Sequence, residues 1–378
     1  MSGTGAPLAG SVVLSIGHTL PGLYCLAMLR DLGAEVVRVE RPARGGQRTY
    51  AGLRAPFPTR SLTAGTHSLA LDLKAEGGRA AFQRLADQAA VVIEGFRPGV
   101  AARLGIDHER LGQDHATLVV ASLSGYGQTG PASRRVGHDV NYLAETGVLG
   151  LANPTGLPGT TFADGLAGVS AALNIVAAIH AAVRSGRGQH LDLAIVDGPL
   201  FLMATELEAF WTSGRSRGPG DTHLTGRHPW YAVHGTRDGG AVALGAVEPA
   251  FHAELCGAIG RPELAAHQHE ESAESWAAFR EFFRSRTRDE AMAALADADT
   301  CASPVLSTRE VAESPLIERG TRAGREPGER IVRSPIRLPI PELPEERHGI
   351  PLLTRFGFTE AEAEVLLRAG ALEDGHPA

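Results

Sequence analysis

The opening third of the chain alternates short apolar runs with helix-period segments, and this constrains the fold more than any other feature. Val12-Val13-Leu14-Ser15-Ile16 is a continuous apolar run of strand length, residues 22–32 carry helical spacing, and residues 35–39 are again rich in valine. Gly33 stands where the end of that helix needs left-handed backbone. The unit then repeats, with a strand at 68–73, an amphipathic helix at 77–88 and a strand at 91–93 that ends at Glu94-Gly95. A further strand follows at 118–123. Strands that are apolar on both faces and joined through helices predict an α/β fold with a mostly parallel sheet covered by helices.

Beyond that point the pattern is a glycine-rich loop, a long alanine-rich helix at 165–184 closed by Ser185-Gly186-Arg187-Gly188, a strand at 190–194 and an apolar helix at 198–211. Residues 213–225 are polar and glycine-rich and read as a linker. A chain of 378 residues exceeds one small core, so two lobes are expected. Residues 1–212 form the large lobe in this reading, 226–330 a smaller α+β lobe, and 331–378 a segment returning to the first. Within the smaller lobe, 231–246 has the pattern of two strands around an Asp238-Gly239-Gly240 hairpin, and 250–296 is helical and charged. A proline-rich stretch at 335–351 leads to a last helix at 359–369.

Composition excludes several classes. A net charge of −7 provides no general attraction to nucleic acid, so a phosphorylated ligand would need a local cluster of Arg and Lys. Cys25, Cys256 and Cys301 are far apart and odd in number, which argues against a disulfide framework and fits a reducing cytoplasm. No uninterrupted apolar run is read as reaching membrane-spanning length, and the first ten residues lack the basic and apolar regions of an export signal. His267-Gln268-His269-Glu270 lacks a metal-ligand spacing and reads as a solvated helical face, so no metal is expected.

Three features carry chemistry. Gly125-Tyr126-Gly127-Gln128-Thr129-Gly130 satisfies G-x-G-x-x-G after a strand, but Pro131 follows at once where a helix should begin, and no acidic residue closes the next strand. A dinucleotide site is rejected on that context. Cations recur where strands end, at Arg38, Arg41, Lys74, Arg97 and Arg103, and the carboxyl edge of a parallel sheet is where such groups converge on phosphate. Finally, Gly137-His138-Asp139-Val140-Asn141-Tyr142 sets an imidazole beside a carboxylate, with Asp164 directly before the long helix and Glu248 before Pro249. A carboxylate at a helix start lies beside free backbone N–H groups, which stabilise a developing oxyanion.

At these residues the chain resembles the family III CoA-transferase (CaiB/BaiF type) superfamily and, within it, the α-methylacyl-CoA racemases. The likeness rests on residues 31–42, 71–74, 94–100, 125–130, 137–142 and 245–249, with Asp164 and Pro229-Trp230-Tyr231. His138 is the discriminating position, because racemases carry histidine there while transferases rely on the aspartate matching Asp164. The resemblance implies a large CoA-binding lobe with a Rossmann-like core, a smaller lobe, and an interlocked homodimer in which Glu248 of one chain approaches His138 and Asp164 of the other. It implies that Arg38, Leu71, Asp72, Leu73, Lys74, Gly95, Phe96, Arg97, Arg103, Gly137, Asn141 and Tyr142 hold CoA. Two departures stand out: Thr63-Ala64-Gly65-Thr66-His67-Ser68 replaces a basic run, and Leu23 follows Gly22 in place of proline.

The chemistry of the residues agrees with the likeness. Inverting a carbon α to a thioester needs one base on each face, and His138 and Asp164 form such a pair, with Glu248 and Asp139 orienting or polarising the imidazole. The substrate would be a 2-methyl-branched acyl-CoA, handled without cofactor or metal, with neither nucleic acid nor membrane as partner. Two other readings stay open: CoA transfer through attack by Asp164 on the thioester, and an acyl-CoA-binding relative without turnover. Residues 153–161, expected to face the acyl chain, do not disclose the substrate.

Overall fold

The computed structural model describes residues 5–17, 19–43, 58–152, 156–339 and 341–374. It divides into two compact units, one made of 1–146, 158–202 and 318–378, the other of 147–157 and 203–317. The chain thus leaves the first unit at Leu202, ahead of the expected linker at 213–225, and returns at Glu318, ahead of the expected 331. The apolar helix expected at 198–211 explains the early exit: it is two helices, Asp197–Leu202 and Ala204–Ser213, and the break at Met203 is where the units divide.

The first unit is built on six parallel strands, β1 (Val12–Ile16), β2 (Glu35–Glu40), β3 (His67–Leu71), β4 (Ala89–Glu94), β5 (Val119–Ser124) and β6 (His190–Ala194), in the order β3-β2-β1-β4-β5-β6. The short strand Leu372–Glu373 adds to the outer edge of β3 and runs antiparallel. Registers such as Leu14 opposite both Val37 and Val92 keep the valine-rich centres aligned, and every residue of β1, β3 and β5 is buried. This is the doubly wound order, in which the chain reverses direction between β1 and β4 and a crevice opens beyond their carboxyl ends. Gly17 and Gly95 stand there. A Cβ on Gly95 would lie 2.3 Å from the Gly17 carbonyl oxygen, so the two turns pass as closely as backbone allows.

Helix α1 (Leu20–Asp31) joins β1 to β2, and Gly33, at φ +96°, turns the chain back against Ala6. The long helix Phe162–Ser185 packs on α1, with Gly168 at the crossing, where a Cβ would meet Tyr24 Cβ at 2.4 Å. By length and composition alone this helix could cross a membrane, although Ser170, Asn174 and His180 interrupt its apolar run. Its small residues Ala167, Gly168, Ala171, Ala172, Ala178 and Ala182 are buried within the unit, while Val169, Leu173 and Val183 are exposed.

The returning C-terminal segment is fastened by buried charge. Asp31 accepts from Arg30 Nε at 2.9 Å, from Arg322 at 2.6 Å and from the backbone N–H of Ser334 at 3.2 Å. The departing Thr63–Ser68 stretch lies under this segment: Gly65 N–H donates to Glu346 at 2.8 Å, and His67 Nδ1 accepts from Arg347 N–H at 3.1 Å.

The second unit holds an antiparallel sheet, β7 (Val233–Gly235), β8 (Ala241–Leu244) and β9 (Ala302–Pro304), with β8 central. The expected hairpin joins β7 to β8, closed by Thr236 N–H on Gly240 O at 2.9 Å with Gly239 at φ +83°. Helices Pro249–Ala258, Ala273–Arg284 and Arg288–Ala294 cover it around Trp230, Leu255, Phe279 and Phe283.

Candidate active site

Because β1 to β6 are parallel, every loop that follows a strand emerges on one edge of the sheet. The loop after β5 carries His138, and the long helix before β6 runs back across the sheet, so its N-terminus lies on that same edge. The topology alone therefore brings residues 137–142 to the start of the Phe162–Ser185 helix.

The glycine loop is built for packing. Gly125 leaves room for the Tyr142 phenol, which would lie 2.5 Å from a Cβ there, and that phenol donates to Gly137 O at 2.8 Å. The Gln128 N–H points to both carboxylate oxygens of Asp192, at 2.8 and 3.0 Å, so this donor is occupied by the protein's own anion. Tyr126 donates to Glu145 at 2.9 Å, and Arg135 binds the same carboxylate at 2.6 and 2.8 Å. These clamps define the entry into the helix Asp139–Glu145.

His138 is the N-cap of that helix, with extended backbone, and its N–H is held at 3.0 Å by the side-chain oxygen of Asn141. The imidazole is exposed. Asp139, expected to orient this imidazole, instead accepts the backbone N–H of Asp164 at 2.9 Å and ties two helix starts together. Asp164 is not the N-cap the sequence pattern placed before the helix; Thr161 holds that position and Asp164 lies in the first turn. Burial, and then the negative charge of Asp139, push the Asp164 carboxyl up to about 6, while His138 pulls the other way. Tyr142 is raised to about 12, mainly by burial and next by Tyr126. The result is a carboxyl biased toward its acid form beside an imidazole.

Among the CoA-type residues, Leu71 ends β3 and Asp72, Leu73 and Lys74 follow it, while Gly95, Phe96 and Arg97 follow β4. Glu94, buried at the end of β4, accepts the Phe96 N–H at 2.8 Å and shapes that turn; burial raises its carboxyl despite the hydrogen bonds. The Asp72 carboxylate accepts the Lys74 N–H at 3.0 Å. Arg38, expected where the second strand ends, lies within β2 and is drawn inward to Thr66 Oγ1 at 2.9 Å and to Glu40, whereas Arg41, Lys74, Arg97 and Arg103 are exposed. Glu248 belongs to the second unit. Four residues past β8, it is exposed and caps the helix Pro249–Ala258, so its apolar neighbours do not enclose it. Residues 153–155 of the expected acyl-facing stretch lie outside the described residues.

Sequence reasoning missed Asp192, Arg135 and Glu145, which look like ordinary surface charges until the loop brings them together. It also passed over Glu94 as an acid, although an acidic residue ending a buried strand is itself a signal.

The family model for CoA-transferase family III matches residues 8–338. This chain belongs to that family. Among its relatives, α-methylacyl-CoA racemase of Homo sapiens is 33% identical over 94% of both chains. Acetyl-CoA:oxalate CoA-transferase of Acetobacter aceti is 30% identical over 93% of this chain and 94% of its own. Of solved structures, a CaiB/BaiF family protein from Brucella suis superposes with a TM-score of 0.75 at 25% identity, covering 97% of this chain and 100% of that one. Family III thus includes both proton-transfer and CoA-transfer enzymes among close relatives of this chain, and acyl-CoA thioesters are its substrates.

Proposed function

We propose that this family III member is a racemase or epimerase that inverts the α-carbon of a 2-methyl-branched acyl-CoA by two-base proton transfer. The His138 imidazole takes the α-proton, the C–H electron pair passes into the thioester as an enolate, and the carboxyl of Asp164 delivers a proton to the opposite face. Inversion in the other direction exchanges the two roles. Written this way the reaction balances without metal or redox group. The positive N-terminal end of the Phe162–Ser185 helix stabilises the enolate oxygen.

The observation that carries this reading is the pairing of an exposed imidazole with a carboxyl held toward its acid form. A carboxyl raised to about 6 both gives up and takes back a proton readily near neutral pH, which suits a group that acts as acid in one direction and base in the other. The exposed cations Lys74 and Arg97, which follow strands, and Arg103, in the helix Val100–Leu104, serve as phosphate contacts. Assembly as a homodimer, in which Glu248 completes the site of the other protomer, fits the apolar side chains left exposed on the long helix, namely Val169, Leu173 and Val183.

The test is incubation with 2-methylacyl-CoA in deuterated water without a carboxylate acceptor. Mass gain at the α-carbon, lost by about a hundredfold or more in His138→Ala, is the expected result. Acyl transfer to an added acid, with no exchange, would refute the proposal and make Asp164 a nucleophile.

A further inference from the structure

We infer that Gln268 is a positioning residue for Glu248, an inference that rests on the reading in which Glu248 serves the reaction. Glu248 is exposed, and its direction is set by the two peptide units before it. The side-chain amide of Gln268 donates to both of their carbonyl oxygens, Val247 at 2.8 Å and Ala246 at 3.3 Å. The circuit closes through Trp230. Its indole N–H donates to the Gln268 carbonyl at 2.7 Å, and its own carbonyl accepts the Ala246 N–H at 3.0 Å. Gln268, Trp230 and Ala246 are 7%, 1% and 0% exposed, so the bonds among these three are made away from water, where each lost partner leaves an unpaired group, while the bond to exposed Val247 is part-buried.

The arrangement explains why a polar side chain is buried at this point. Ala246 and Val247 lie between β8 and the helix Pro249–Ala258, and neither strand nor helix supplies donors for their carbonyls. A glutamine with both amide hydrogens engaged fixes the peptide planes from outside that backbone. Pro249 then fixes the first helical turn, leaving Glu248 little freedom except at its own side chain. Of the His267-Gln268-His269-Glu270 run, Gln268 alone is buried.

The experiment compares Gln268→Met, close in size but without donors, and Trp230→Phe, which keeps a ring and removes the indole N–H, with Glu248→Gln. Each is made alone, and Gln268→Met is also combined with Glu248→Gln. The α-deuterium exchange assay should show kcat reduced about tenfold in the first two, KM for acyl-CoA within twofold of wild type, and no further loss in the double variant. A purely structural role would lower the double variant below Glu248→Gln or raise KM. Gln268→Met with wild-type kcat, while Glu248→Gln is impaired, would overturn the inference and leave the role of Glu248 standing. Glu248→Gln with wild-type kcat would instead remove Glu248 from the reaction and this inference with it. Because the two replacements act at opposite ends of the circuit, either one decides if the other does not fold.

Discussion

Asp164→Asn should stabilise the folded protein at alkaline pH while abolishing inversion. The carboxyl is raised from its ordinary 3.8 to about 6, so ionising it in the folded state costs about two pKa units at 1.36 kcal/mol each, an upper figure of roughly 3 kcal/mol. The group is only partly buried, and solvent screening brings the expected gain to about 1–2 kcal/mol. Asparagine keeps the side-chain shape and the backbone N–H that Asp139 accepts at 2.9 Å, so little else changes. The sign follows from linkage: a raised carboxyl destabilises the fold only when ionised, so its penalty grows as pH rises from 3.8 and is complete above about 6. Guanidinium titrations at pH 8 and pH 4 should therefore show a gain at pH 8 that largely vanishes at pH 4. A variant that is less stable at pH 8, or equally shifted at both, would show that the carboxyl is not held toward its acid form, and the two-base assignment would lose its chief support.

Asp139→Asn keeps an acceptor for the Asp164 N–H but removes the neighbouring charge; the limb of the pH–rate profile assigned to Asp164 should move to lower pH, and an unmoved limb would exclude that coupling. Asp31→Ala should destabilise by about 3–5 kcal/mol, because it leaves the buried Arg30 guanidinium without its counter-charge, measured as a lowered guanidinium midpoint; a change under 1 kcal/mol would contradict the fastening role. His228, His234 and His252 in the second unit are lowered from 6.5, in each case first by burial. Their stabilising contribution is complete above about pH 6.5 and declines as pH falls from there toward the lowered folded values. Tryptophan fluorescence followed through acid titration should report that loss, and a flat signal down to pH 5 would count against it. Arg97→Ala should weaken CoA binding about tenfold by calorimetry, given the worth of a charge-assisted contact; unchanged affinity would place the phosphates elsewhere.

Strands β1 to β5 are legible because β1, β3 and β5 are buried throughout and β2 and β4 in part, leaving apolar-rich runs with glycine nearby. The strand Leu372–Glu373 is not, since two residues carry no periodicity and owe their conformation to the edge of β3. Met203 gave no sign of a helix break: neither glycine nor proline stands there, and the division between units decides it. In the site, His138, Asp139 and Asp164 were legible as residue types, and the parallel topology explains why they meet. The target of the Asp139 carboxylate was not, because it depends on how two helix starts face each other across 25 positions of sequence. Gln268 was read with its charged neighbours as a solvated face, and only its bonds to Ala246 and Val247 separate it from them.

The first unit is discontinuous, and this has a consequence for how the chain comes to be made. Residues 203–317 are synthesised as an insertion before 318–378 can lay Leu372–Glu373 on β3 and bring Arg322 to Asp31. On the ribosome the inserted unit has all of its own strands and can close first, while the larger unit waits with one edge of its sheet open and Asp31 without Arg322. An unpaired edge strand is a template for another chain. The last sixty residues thus act late in folding, as the cover that ends a period of exposure, and a ribosome stalled near residue 320 would release a molecule with its smaller unit formed and its larger one open to aggregation.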